Sequence, residues 1–133
     1  MPFLCDATAY VPLDPPGRLG DLSICLMDSI EELEDGLRAV VSGEVNGAPV
    51  QVSFLFVPWA YCVSNESHRI ATAPKIAASK DNGAALYLVQ GSEWLERFLQ
   101  EYGYGEDLQH YLIVTGGDWL DVIADRPPKI EWL

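Results

Sequence analysis

Apolar and polar residues alternate along much of this chain, and the period of that alternation changes at a few readable points. Leu22, Ile24 and Leu26 alternate with Ser23, Cys25 and Met27, a period of two that argues for a strand. Ser29 and Glu32 then stand in capping-box spacing, with Ile30, Leu33 and Leu37 at helical intervals and Gly36 placed to stop the turn. This pattern predicts a short acidic helix over about residues 30–35. Asn46-Gly47 comes next between two apolar runs, and Asn-Gly favours a type I′ hairpin turn. Pairing outward from that turn sets Val41 opposite Val52, Ala39 opposite Phe54 and Leu37 opposite Phe56. The other face carries Glu44 opposite Pro49, Ser42 opposite Gln51 and Val40 opposite Ser53. A slip of one residue would mix the two faces, so the register is well specified.

The second half repeats the mixture. Ala85–Val89 reads as a strand with Leu86 and Leu88 on one face. Ser92 is placed to cap a helix, Glu93 and Glu96 suit its first turn, and Trp94, Leu95, Phe98, Leu99 and Tyr102 form a stripe that Gly103 closes. Tyr111–Thr115, a Gly116-Gly117-Asp118 turn and Trp119–Ala124 make a second hairpin. Pro127-Pro128 ends it and leaves a tail from Lys129 to Leu133. Residues 1–20 are rich in Pro and Gly and read as an irregular lead-in with a short extended piece near Ala7–Val11. Residues 64–83 are polar and Ala-rich and read as a long surface loop. The expectation is therefore one α+β domain over residues 1–133. Its single sheet, antiparallel or mixed, is built from hairpins and carries two helices on one face.

Composition permits this. Nearly half of the 133 residues are apolar, so a real core needs no disulfide staples. No basic start leads into an apolar run, and no stretch approaches the roughly 18 uninterrupted apolar residues of a span. Cys5, Cys25 and Cys62 are an odd set at wide spacing, which reads as reduced thiols in a cytoplasmic protein.

Charge changes the picture more. Twenty acids face eight bases, for a net charge of −12. The acidity sits at the two ends: residues 1–45 carry −7, residues 46–83 carry +1, and residues 84–133 carry −6. Such a domain repels nucleic acid and anionic membrane and attracts cationic partners. The acids that stand out as partner-binding candidates are Glu31, Glu34 and Asp35 in the first half, and Glu106, Asp107 and Asp118 in the second. Trp119 beside Asp118 is a candidate aromatic anchor.

Catalytic and metal signatures are weak by comparison. His68 and His110 are the only histidines, Cys62 with His68 matches no nucleophile motif, and His110 reads as a strand-end residue bonded locally. Glu66 and His68 supply too few metal ligands, and Asp118 and Asp121 fall three apart on a turn and a strand, so they point differently. Phosphate-loop spacings are absent. No catalytic residue, metal ligand or cofactor is assigned.

The segment Gly91-Ser92-Glu93-Trp94-Leu95-Glu96-Arg97-Phe98, then His110-Tyr111-Leu112-Ile113-Val114-Thr115, then Asp121-Val122-Ile123-Ala124 with Pro127-Pro128, resembles a pattern in small uncharacterised bacterial proteins. Some of these are similar to immunity proteins encoded beside toxins. The resemblance covers the C-terminal third, implies a partner-binding role and assigns no functional residue. The expected function is a non-enzymatic acidic binding protein, of the immunity type that occludes a basic toxin or nuclease. A ligand-binding or enzymatic domain with a pocket between sheet and helices, and a self-associating structural module, are its rivals. Nothing in the sequence sets an oligomeric state.

Overall fold

The computed structural model describes residues 7, 9–13, 22–65, 85–103 and 107–133. The elements in chain order are β1 (Ala9–Pro12), β2 (Leu22–Leu33), β3 (Gly36–Val45), β4 (Ala48–Phe56), β5 (Pro58–Asn65), β6 (Leu86–Gln90), helix α1 (Glu93–Tyr102), β7 (Gln109–Ile113), β8 (Asp118–Ala124) and β9 (Lys129–Trp132). They form two antiparallel sheets, one ordered β1-β6-β7-β8-β5 and the other β2-β3-β4-β9. This corrects the α+β expectation. There are two sheets, and the described residues hold one helix. Of the expected lead-in and loop, only residues 7, 9–13, 64 and 65 are described; the rest lie outside the described residues.

The helix expected at 30–35 is strand instead. Residues 22–33 form one long strand paired with β3, with Ile30 opposite Ala39 and Leu33 opposite Gly36 across the Glu34-Asp35 turn. Six residues make a marginal helix, whereas the ladder satisfies their backbone groups and packs Ile30 against the core. Gly36 starts the return strand rather than capping a helix. Its φ is +151°, and a β-carbon there would overlap the Phe56 carbonyl oxygen.

The β3–β4 hairpin follows its turn chemistry. Asn46 and Gly47 take φ of 52° and 80°, as a type I′ turn demands, and the pairs run from Val45–Ala48 out to Leu37–Phe56 in the expected register. Leu37, Ala39, Val41, Val52, Phe54 and Phe56 are all buried. Facing them from the other sheet are Leu86, Tyr111, Ile113, Leu120, Val122 and Ala124. The two sheets therefore close on each other as a sandwich with one main core.

Prolines explain why there are two sheets. β4 passes into β5 through Val57 alone, and β8 passes into β9 through residues 125–128. β4 pairs with β9 in one sheet while β5 pairs with β8 in the other. A single antiparallel ribbon thus bends from one sheet into the next. Pro58 and Pro127-Pro128, which supply no amide hydrogen to a ladder, sit at the bend, and the register shifts between Pro58 and Ala60. The tail after Pro128 accordingly becomes strand β9.

The far face of the five-stranded sheet carries a second cluster of Tyr10, Tyr87, Val89, Leu112 and Trp119. Alternation places His110 with Leu112, and Asp121 with Trp119, on this face. Helix α1 packs there. Its N-cap is Ser92, whose hydroxyl accepts from the Leu95 amide at 3.1 Å, and its C-cap is Gly103 at φ 70°. The stripe is half-buried except for the exposed Tyr102: Trp94 meets the His110 ring edge-on at 5.0 Å, Phe98 meets Trp59 at 6.5 Å, and Phe98 stacks on Tyr102.

Candidate functional site

A cleft of about 320 Å³ opens where the β2–β3 turn meets the β4–β5 corner. Glu32, Glu34 and Asp35 supply its acidic rim, while Val57, Pro58 and Tyr61 supply the opposite wall. The turn puts three carboxylates within four residues, and the corner brings apolar surface and a phenol against them. Tyr61 donates a hydrogen bond to Glu32, joining β5 to β2 between the sheets. That bond is the first cause of a Tyr61 pKa above the usual phenol value, with burial and the Glu32 charge adding to it. Glu31, opposite Arg38 of β3, does not line the cleft: alternation along β2 directs it to the face opposite Glu32. Glu31, Glu34 and Asp35 are exposed and make no ion pair with a described residue.

The ladders show which other acids share this end. Gln109 pairs with Ala124, and Pro58 pairs with Ala124 from the other side. Asp107, two residues before Gln109 and exposed, therefore lies at the same end as the cleft. Asp125 is there too, paired with Arg126 at 2.9 Å, whose hydrogen bond holds the Asp125 carboxyl below the usual range. Glu106 lies outside the described residues. Asp118 is at the other end of β8, opposite Asn65, about 20 Å away at the usual rise per strand residue.

Trp119 does not serve as a surface anchor. It is 2% exposed, and its indole N–H donates to the Thr115 carbonyl at 3.0 Å, closing the β7–β8 turn. The exposed tryptophan is Trp59, at 42%, beside the cleft-lining Pro58. In the sequence, the bend that turns Trp59 outward is signalled only by Pro58.

A second constellation is internal. His110 on β7 lies between Ser92 and Asp121: Ser92 Oγ is 2.7 Å from Nδ1, and Nε2 is 2.7 Å from Asp121 Oδ1. All three side chains are buried. The consistent proton arrangement has Nε2–H donating to the carboxylate, the Ser92 hydroxyl donating to Nδ1, and the Leu95 amide donating to Ser92. The chain of bonds ties the helix start to two strands. His110 is thus bonded not locally, as the sequence suggests, but to partners 18 and 11 residues away. Asp118 and Asp121 point differently, the first exposed and the second fully enclosed. Among the described residues no three His, Cys, Asp or Glu side chains are placed to hold a metal ion. Cys25 and Cys62 form no disulfide.

These features define the described residues as a two-sheet antiparallel sandwich with one flanking helix, an acidic cleft at one end and a buried Ser-His-Asp relay. No family model matches the chain, and no curated protein or solved structure matches it. No helix among the described residues is long and apolar enough to cross a membrane.

Proposed function

We propose that the chain is a binding protein whose acidic cleft receives Lys or Arg side chains of a basic protein partner, as an immunity-type inhibitor would when occluding a basic toxin or nuclease. The observation that carries this reading is the meeting of Glu32, Glu34 and Asp35 with Tyr61, Val57 and Pro58 in one concavity. Carboxylates at the rim attract the cationic head, and the apolar wall takes the aliphatic stem. Asp107 extends the negative end, and Trp59 supplies an exposed aromatic beside it for stacking on guanidinium. Close interfacial charge pairs couple by about 1.5–7 kcal/mol, so a few such pairs support tight inhibition. The unbridged Cys25 and Cys62 suit a reducing cytoplasm.

The test is a low-salt pull-down with the full chain beside the triple variant Glu32→Gln, Glu34→Gln, Asp35→Asn. The reading expects basic proteins on the wild-type chain, release by half-molar salt, and at least tenfold weaker retention on the variant. Recovery of only neutral or acidic proteins refutes it.

A further inference from the structure

We propose that Ser92, His110 and Asp121 form a nucleophilic acyl-transfer site, separate from the cleft and from the partner binding proposed above. The three residues come from the β6–α1 junction, β7 and β8. Both contacts of the relay are 2.7 Å. A neutral imidazole that donates from Nε2 to Asp121 directs its Nδ1 lone pair at the Ser92 hydroxyl, which is what a general base beside a serine must do. The two ring nitrogens trade the places they hold in serine proteases, but the order of donors and acceptors is the same. Enclosure of Asp121 fixes the ring orientation and tautomer.

Ser92 is the outermost of the three, at 7% exposure, against 1% and 0% for His110 and Asp121. Gly91 before it is exposed and puts no side chain over it. Because Ser92 is the N-cap of α1, the Leu95 amide already donates to Oγ at 3.1 Å, and the neighbouring first-turn amide of Trp94 has no carbonyl acceptor within the helix. The Trp94 amide is the donor for an oxyanion. The Trp94 indole against the His110 ring makes the surroundings apolar.

In the reaction, Ser92 Oγ forms a bond to the carbonyl carbon of an ester while its proton passes to His110 Nδ1. The oxyanion accepts a hydrogen bond from the Trp94 amide. The carbon–oxygen bond to the alcohol then breaks, and the alcohol leaves with the proton from His110. Water adds to the acyl-Ser92 ester, gives a proton to His110 and releases the carboxylic acid as Ser92 recovers its proton. The substrate is a small ester without negative charge, since a net charge of −12 repels anionic acyl groups.

The experiment treats the full chain with an alkyl fluorophosphonate and reads intact mass and peptide maps. Ser92 Oγ displaces fluoride, so one phosphonyl adduct on Ser92 is expected. It should vanish in Ser92→Ala and Ser92→Asn, the second of which keeps a cap acceptor, and fall at least tenfold in rate in His110→Gln and Asp121→Asn. Circular dichroism establishes that each variant is folded. A folded wild-type chain that takes no adduct on Ser92 overturns the proposal. So does an adduct that forms as fast in folded His110→Gln as in wild type, because the relay is then only a clamp for the helix.

Discussion

His110 Nε2 lies 2.7 Å from Asp121 Oδ1, with both side chains at most 1% exposed. A carboxylate enclosed to this degree is stable only with a good partner, because desolvation costs several kcal/mol per ion. Removing one member leaves the other buried and unsatisfied. Asp121→Ala should therefore destabilise the fold by about 1–3 kcal/mol in urea unfolding, the cost of leaving the His110 Nε2–H buried without an acceptor. Asp121→Asn should cost clearly less, because its amide oxygen still accepts from Nε2. Equal losses for the two substitutions would mean that this hydrogen bond is not what holds the region.

Gly36 and Gly47 test backbone demand against packing demand. Both have positive φ, but a β-carbon at Gly47 meets nothing within 4 Å, whereas one at Gly36 overlaps the Phe56 carbonyl oxygen. Gly47→Ala should cost about 1–2 kcal/mol, the penalty of the left-handed region for an L-residue. Gly36→Ala must in addition move the β4 backbone at the sheet-to-sheet bend, so its midpoint in urea should fall further. The order reverses if the β2–β3 turn is free to shift away from β4.

Phe54 sits opposite Ala39 and faces the other sheet with no exposure. Phe54→Ala should cost about 3–5 kcal/mol, as large-to-small changes in closed cores do. Ser53→Ala, on the opposite face of the same strand, should cost no more than about 1 kcal/mol. Similar losses at the two positions would indicate a different register.

Local chemistry made part of this fold legible. Asn46-Gly47 sets both turn and register of its hairpin, and Ser92 and Gly103 bound their helix, because these signals act within a few residues. Residues 30–35 carried a helical signal, but strand pairing with β3 is worth more than a six-residue helix, and no local pattern reports that pairing. Pro58 and Pro127-Pro128 were visible as interruptions. That they bend one ribbon between two sheets depends on β9 finding β4, a contact across more than half the chain. The candidate sites divide the same way. Glu31, Glu34 and Asp35 are neighbours in sequence, so their acidity was plain, whereas the cleft wall comes from Val57, Pro58 and Tyr61. Ser92, His110 and Asp121 were each readable alone, as a cap, a strand end and a strand carboxylate, and only the sheet brings them together. Trp119 looked like surface because it follows Asp118, yet β8 is buried on both faces.

Tyr87 gives a pH test with a definite sign. Its side chain is fully buried, its hydroxyl has no partner among the described residues, and burial, with a smaller contribution from the Cys25 charge, pushes its pKa up to about 12. Below pH 10 the phenol is neutral in both folded and unfolded chains, and no stability is lost. Between pH 10 and 12 the unfolded chain ionises while the folded one resists, so stability falls as pH rises, by on the order of 2 kcal/mol. Tyr61 and Tyr111, whose pKa values are also raised, act in the same direction. Tyr87→Phe should flatten the alkaline decline in the urea midpoint measured at pH 9, 10 and 11. At pH 7 it should leave stability unchanged or slightly higher, since it removes a buried hydroxyl that forms no hydrogen bond with a described residue. A variant markedly less stable at pH 7 would show that the Tyr87 hydroxyl has a hydrogen-bond partner in solution.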